Sequence, residues 1–302
     1  MNEVDVKVNS FKAWILASRP KTLSGAAVPV MIGTALAMRD ASFDIRIVPA
    51  VLCFLFAFLM QIDANFVNDY FDYIKGTDDE NRLGPKRACA QGWITEKAMR
   101  RGMALTTVLS CMVGLPLVVY GGWHMIVIGA ACVVFCFLYT TCLSYMGLGD
   151  VLVLLFFGFV PVCLTYYLDM PSGAPLFSHE VVWTSLACGL VIDTLLVVNN
   201  YRDIDNDRRS GKKTIVVRIG ARASEKLYLG LGLTACISSF ILFYDRSMWA
   251  AFLPLGYLAL HISTYREMIR IRKGTELNRV LGKTARNMFV YGLLQSVGLI
   301  IA

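Results

Sequence analysis

Asn65, Asn68, Asp69 and Asp72 fall in the string ANFVNDYFD, and at 100° per residue they share one narrow arc of a helix. Far along the chain, Asn199, Asp203 and Asp207 recur every four residues in NNYRDIDND and share a face of a second helix. Both sets offer oxygen donors with no histidine or cysteine among them. That chemistry suits Mg²⁺, which takes one or two carboxylates per ion and completes its shell with phosphate oxygens and water. Two facing sets of carboxylates repel unless cations lie between them. The loop after each cluster is basic and carries glycine. KGTDDENRLGPKR supplies Lys75, Arg82, Lys86 and Arg87 around Gly84-Pro85, and RRSGKKT supplies Arg208, Arg209, Lys212 and Lys213 around Gly211. Glycine admits a close backbone approach, and Arg grips phosphate oxygens in pairs. The chemistry implied is metal-assisted handling of a diphosphate.

The elements that must position these groups are membrane helices. Of 302 residues, 56% are hydrophobic and 17% charged, with a mean hydropathy of +0.57. Nine apolar runs approach the roughly 20 residues that a bilayer requires: 22–38, 47–69, 101–120, 123–143, 149–169, 180–200, 224–244, 247–265 and 283–302. The first is short and interrupted by Pro29, and FKAWILAS before it reads as an interfacial segment broken at Pro20. A polar start followed by Arg19, Pro20 and Lys21 does not suit a cleavable signal peptide. The two oxygen-rich clusters end spans 2 and 6, so they lie at one depth, and the diphosphate they serve carries a tail in the bilayer. Of the 29 Lys and Arg, all but Arg39, Arg46 and Arg246 fall on the side of the N-terminus. This positive-inside bias places the N-terminus and the basic loops in the cytoplasm and the C-terminus outside. It also assigns the net charge of +7 to topology rather than to nucleic-acid binding.

Nine scattered cysteines form no C-x-x-C pair and read as small buried hydrophobes, and His124, His179 and His261 are too far apart in sequence to suggest a zinc site. No linker divides residues 1–302, which read as one membrane domain. Asp193, about a turn and a half deeper than Asn199, and Asp63 in span 2 are acids at membrane depth, where a cavity-facing position is expected.

These motifs resemble those of the UbiA superfamily of intramembrane aromatic prenyltransferases. Its first motif, Asn-x-x-x-Asp-x-x-x-Asp, is met by Asn68 and Asp72, with Gly76 in place of the last Asp; Asp69 or the loop acids Asp78 and Asp79 are the substitutes at hand. The second is met by Asp203 and Asp207. RPKTL, NDYFDYIKGTD with RLGPKR, GLGD, and NNYRDIDNDRRSGKKT with VVRIG are similar to the branch that prenylates 1,4-dihydroxy-2-naphthoate in menaquinone synthesis. The resemblance implies an all-α, multi-pass fold of about nine helices around a central cavity that opens to lipid beneath the cytoplasmic loops. It implies a Mg²⁺-dependent reaction in which a polyprenyl diphosphate ionises to an allylic cation. The naphthoate ring traps that cation, and carbon dioxide leaves to give demethylmenaquinol.

Under this resemblance Asn68, Asp72, Asp203 and Asp207 hold Mg²⁺, with Asp69 and Asn199 as further ligands or hydrogen bonders. Arg82, Lys86, Arg87, Lys212 and Lys213 clamp the diphosphate, joined by Arg19 and Lys21. Tyr139 is a candidate to stabilise the cation through its ring face, and Asp193 to contact the acceptor. Phe135, Phe137, Phe156, Phe157 and Phe159 line the prenyl tunnel or pack against neighbours. A cation transporter would need the same acids, but near the midplane and on broken helices in inverted repeats; these lie at the membrane surface beside basic loops. Within the superfamily, 4-hydroxybenzoate, homogentisate or a chlorophyllide-like ring are alternative acceptors.

Overall fold

Backbone groups in hydrocarbon have no water to bond, so an apolar chain of this length satisfies them within helices. The computed structural model describes residues 6–76, 82–171 and 178–302, and every regular element among them is helical. Helix α1 (Phe11–Ser18) is capped by Ser10, whose side chain accepts the Ala13 N–H, and it turns Phe11, Ile15 and Leu16 outward. Arg19 adopts a left-handed backbone (φ 50°) and sets an elbow ahead of Pro20, since proline disfavours the right-handed helical conformation of its predecessor. After one tight turn the chain enters α2 (Leu23–Asp40), which runs unbroken through Pro29, contrary to the interruption expected there. The carbonyl freed by Pro29 belongs to Gly25, and both residues border the cavity described below.

The chain continues through α3 (Ile47–Ile74), α4 (Glu96–Gly114, capped by Thr95), α5 (Val118–Gly121) and α6 (His124–Leu138). A π-helical turn at Tyr139–Leu143 ends α6, and a second at Leu154–Phe159 joins α7 (Gly149–Val153) to α8 (Val160–Asp169). Such turns shift the register of the residues beyond them and recur at functional sites; both contribute to the cavity wall. Then follow α9 (His179–Arg202), α10 (Ile204–Arg209), α11 (Ile215–Ile219), α12 (Ala221–Phe243), α13 (Met248–Phe252), α14 (Gly256–Ile271) and α15 (Leu277–Ile300).

Helix α9 is the axis of the bundle. It packs against α2, α8, α12, α15 and the second π turn. Its Cys188, Val191 and Ile192 join Val28, Ile32 and Leu36 of α2 and Met288, Tyr291 and Leu299 of α15 in the main core. Helix α6 has no buried residue and lies on the outside. Among the described residues, seven helical segments are long and apolar enough to cross a membrane, from Phe11–Asp40 to Ala221–Phe243. The last two expected spans, 247–265 and 283–302, fall on α13–α14 and on α15. Helix α15 is long enough to cross, but Thr284, Asn287, Gln295 and Ser296 are buried against protein and lower its hydropathy, so by length and composition α13–α14 and α15 do not count among the seven segments found in the described residues.

One end of the bundle is tied by ion pairs. Glu180 at the start of α9 pairs with Arg39 of α2 and with Arg246 beyond α12. Tyr166 donates to Asp40 (2.9 Å), and Thr34 to Asp169 (2.7 Å). Arg46 joins this end through its backbone N–H, which donates to the Asp169 carbonyl (2.7 Å), so the three basic residues that the sequence set apart from the rest are gathered away from the acid-rich helix ends.

Candidate active site

The acid-rich ends of α3 and α9 open on one cavity of about 1080 Å³. Its polar end is bordered by Asn68, Asp72, Asn199, Asp203 and Asp207, together with Arg19, Lys21, Arg82, Arg87 and Lys212. The remaining wall is largely apolar and includes Phe135, Phe156 and Phe157. Phe137 and Phe159 take the other role expected of these phenylalanines and pack against hydrophobic clusters.

The stripe on α3 divides between two directions. Asn68 and Asp72 border the cavity, and Asn68 accepts a hydrogen bond from Thr140 in the first π turn. Asn65 donates to the Ser18 carbonyl (2.8 Å) and the Thr22 hydroxyl (3.0 Å), which fixes the elbow between α1 and α2. Asp69 is not on the cavity. Its two oxygens accept the backbone N–H groups of Ala88 and Cys89, each at 2.8 Å, and so staple the basic loop to α3. Both oxygens are engaged in a buried pocket, which is the hydrogen-bonding role expected of Asp69 as the alternative to a metal ligand. The four residues span an arc wide enough for adjacent positions to meet different neighbours.

Gly76, which stands where the family motif has its last Asp, lies beyond the end of α3 with φ +67°, a conformation suited to glycine. An acid there would have left the stripe. Asp78 and Asp79 lie outside the described residues.

The stapled loop delivers Arg87, 7% exposed, to Asp72 (3.2 Å). Lys212 approaches the other Asp72 oxygen (3.9 Å) and stands over the Tyr145 ring, 5.0 Å from its centroid. Burial works to lower the Lys212 ammonium, but the carboxylates of Asp72 and Asp207 outweigh it and hold its pKa above the usual value. Burial pushes the Asp207 carboxyl up to about 6, with Lys212 opposing and Asp203 and Asp72 adding to the rise. Lys86 and Lys213 are exposed and do not border the cavity, unlike Arg82, Arg87 and Lys212 of the expected clamp. The Lys213 backbone instead bonds the Tyr145 carbonyl and accepts from Arg218.

Two residues missed by the sequence reading organise the second stripe. Arg202, 3% exposed, grips both oxygens of Asp203 (2.8 and 2.6 Å) and donates to Asn199 (2.9 Å) and Asn278 (2.8 Å). Asn278, at the start of α15, donates in turn to the Leu83 carbonyl (2.7 Å), closing the loop over α9. Gly84 is required beside it: a Cβ there would stand 2.8 Å from Arg202 Nη2. Arg202 was legible, since a cation inside an acid-rich helix end needs partners; nothing in the sequence linked Asn278 to it.

Tyr139 borders the cavity, while Asp193, 3% exposed, stands behind the wall formed by Ile192, Leu195 and Leu196. Asp63 serves packing: Thr106 and Thr107 of α4 donate to its two oxygens (2.6 and 2.7 Å).

The donors Asn68, Asp72, Asn199, Asp203 and Asp207 are all oxygens and fit a hard divalent cation. Among the described residues no three acidic, histidine or cysteine side chains converge as a ready metal cluster. Here Arg87 and Lys212 neutralise Asp72, and Arg202 neutralises Asp203. The Asp207 carboxyl is raised chiefly by burial and further by Asp203 and Asp72, and a cation beside it would favour its ionised form.

An all-helical membrane bundle whose two acidic helix ends share a tail-sized apolar cavity defines an intramembrane enzyme for a lipid-tailed substrate. Residues 26–293 match the UbiA prenyltransferase family, and the chain belongs to it. It is similar to the 1,4-dihydroxy-2-naphthoate octaprenyltransferase of Escherichia coli, with 33% identity covering 98% of this chain and 97% of that one. The enzyme of that name from Mycobacterium tuberculosis is 33% identical, covering 94% and 95%. The fold is that of a UbiA homolog from Aeropyrum pernix (TM-score 0.67, 14% identity, covering 92% of this chain and 97% of that one). It is also that of a UbiA homolog from Archaeoglobus fulgidus bound to DMAPP and Mg²⁺ (TM-score 0.62, 15% identity, covering 94% and 99%).

Proposed function

We propose that this prenyltransferase transfers a polyprenyl group from its diphosphate to 1,4-dihydroxy-2-naphthoate, releasing diphosphate and carbon dioxide and giving demethylmenaquinol. The observation that carries the reading is the union of both acid-rich helix ends, with the cations of two loops, on one cavity with a largely apolar wall. The naphthoate as acceptor is supported by the names of the bacterial relatives, which align over nearly the whole chain.

In this reading Asn68, Asp72, Asn199, Asp203 and Asp207 hold Mg²⁺. The ion supplies Lewis-acid stabilisation of the departing diphosphate. Arg87 and Lys212, now paired with Asp72, turn to the diphosphate oxygens, together with Arg19, Lys21 and Arg82. The apolar wall holds the prenyl tail and keeps water from the allylic cation. The Tyr139 ring faces that cation. The prenyl carbon–oxygen bond breaks with its electron pair on diphosphate, a ring carbon bonds the allylic carbon, and the ring–carboxylate bond breaks with its pair returning to the ring.

The chain works as one domain in the cell membrane, with the N-terminus and the basic loops in the cytoplasm and the C-terminus outside. To test the reaction, purified protein is supplied with farnesyl diphosphate, Mg²⁺ and carboxyl-labelled 1,4-dihydroxy-2-naphthoate. Labelled carbon dioxide should appear in step with prenylated product. Efficient prenylation of 4-hydroxybenzoate with the naphthoate ignored would show the acceptor to be wrong.

A further inference from the structure

Asp150 has no part in the chemistry above. It lies in the first turn of α7, borders the cavity and is 5% exposed, and neither carboxylate oxygen has a hydrogen-bond partner among the described residues. Asp193 of α9, 3% exposed, likewise has its Oδ1 without a hydrogen-bond partner among the described residues. The Tyr139 hydroxyl lies against the start of α7: a Cβ on Gly149 would stand 3.6 Å from it and 3.3 Å from Leu196. Three cations of the site are engaged with other acids, Arg87 and Lys212 with Asp72 and Arg202 with Asp203. A buried carboxylate with both oxygens bare is unfavourable unless something supplies a donor. A ligand that carries an O–H and enters this cavity, whose wall also holds Tyr139, Phe156 and Phe157, would supply the donor. A hydroxyarene offers that O–H together with a ring that suits the aromatic wall.

We propose that Asp150 receives a ring hydroxyl of the aromatic acceptor and takes its proton as the ring attacks the prenyl group. The inference rests on the prenyltransferase reading. The O–H bond breaks, and its electron pair stays on the ring oxygen and raises the electron density of the attacking carbon. The new carbon–carbon bond forms as the prenyl C–O pair leaves with diphosphate. When the ring carboxylate departs as carbon dioxide, its bonding pair restores the aromatic ring, and the proton returns from Asp150 to the oxygen. No proton is gained or lost overall. Transfer by a placed base of this kind accelerates turnover by about 100-fold or more.

The test uses full-length protein in lipid nanodiscs with farnesyl diphosphate, Mg²⁺, and either 1,4-dihydroxy-2-naphthoate or 4-hydroxybenzoate. Asp150→Asn should lower kcat about 100-fold and leave binding of the non-ionising farnesyl thiodiphosphate unchanged. Asp150→Glu should recover part of the lost rate. A second measurement needs no variant. On wild-type protein, 2-naphthoate, which lacks both hydroxyls, should compete with the dihydroxy acid about tenfold more weakly, the loss of one good hydrogen bond to a charged group. Asp150→Asn turnover near that of wild type overturns the inference, as does equally tight binding of 2-naphthoate. Loss of donor binding together with turnover also overturns it, by showing a structural role. If Asp150→Asn does not fold, the 2-naphthoate comparison decides. Wild-type protein that prenylates neither hydroxyarene removes the underlying reading and this inference together; an active wild type with an unaffected variant removes the inference alone.

Discussion

Asp69→Ala separates a metal ligand from a loop staple. Asp69 is 1% exposed and accepts the Ala88 and Cys89 N–H groups at 2.8 Å each. A hydrogen bond to a charged group contributes about 1.5–3 kcal/mol, so the pair contributes about 3–6 kcal/mol to holding the loop on α3. Water reaching the freed loop recovers part of that when the staple is cut. With about 3 kcal/mol left uncompensated, and a factor of ten for each 1.4 kcal/mol, binding of a diphosphate that needs Arg87 in place should weaken about 100-fold. Asp69→Asn keeps one acceptor and should lie between wild type and Ala. The assay is binding of farnesyl thiodiphosphate in nanodiscs, paired with a Mg²⁺ titration of turnover at saturating donor. Donor affinity should fall while the Mg²⁺ requirement stays near that of wild type. A rise in the Mg²⁺ requirement as large as that in an Asp72 variant would refute the staple and restore Asp69 to the metal site. An unchanged donor affinity would show that the loop holds its place without it.

Asp72→Ala and Asp203→Ala should each abolish turnover, by on the order of 10³-fold or more, in protein that still inserts and folds; near-wild-type rates in both would end the two-stripe site. Lys86→Ala and Lys213→Ala, on exposed residues off the cavity, should leave kcat and donor KM close to wild type, whereas Arg87→Ala should raise donor KM at least tenfold, about one charge-assisted hydrogen bond. The Asp207 carboxyl is raised to about 6 and must be ionised to bind a cation, so apparent Mg²⁺ affinity should be flat above that pH and fall as pH drops through it; equal affinities at pH 5 and pH 7 would contradict this. For topology, single cysteines at positions 76, 211, 42 and 178 in a cysteine-free background should react with an impermeant thiol reagent on intact cells only at 42 and 178; labelling at 76 or 211 would invert the orientation.

The sequence by itself determined the membrane-embedded helical fold, because unbroken apolar runs leave a chain no other way to satisfy its backbone, and the pairing of two acid-rich helix ends, because periodicity puts Asn68 with Asp72 and Asp203 with Asp207. It also separated Arg39, Arg46 and Arg246 from the remaining basic residues, and the structure gathers these three at the far end of the bundle. What it left undecided depends on neighbours that helical spacing does not contain. Asp69 and Asp72 differ by three positions on one helix; one meets the loop backbone at Ala88 and Cys89 and the other meets the cavity. Lys212 and Lys213 are adjacent and identical in type, yet only the first lines the cavity. Arg202 gains its role from Asn278, 76 residues away, and Gly84 is explained only by the guanidinium beside it. Pro29 continues a helix, although proline removes a backbone donor, because tertiary surroundings rather than local preference settle whether a membrane helix breaks. Side-chain type and period establish which groups can do the chemistry; which of them face the substrate is decided by packing, through the partner each one meets first.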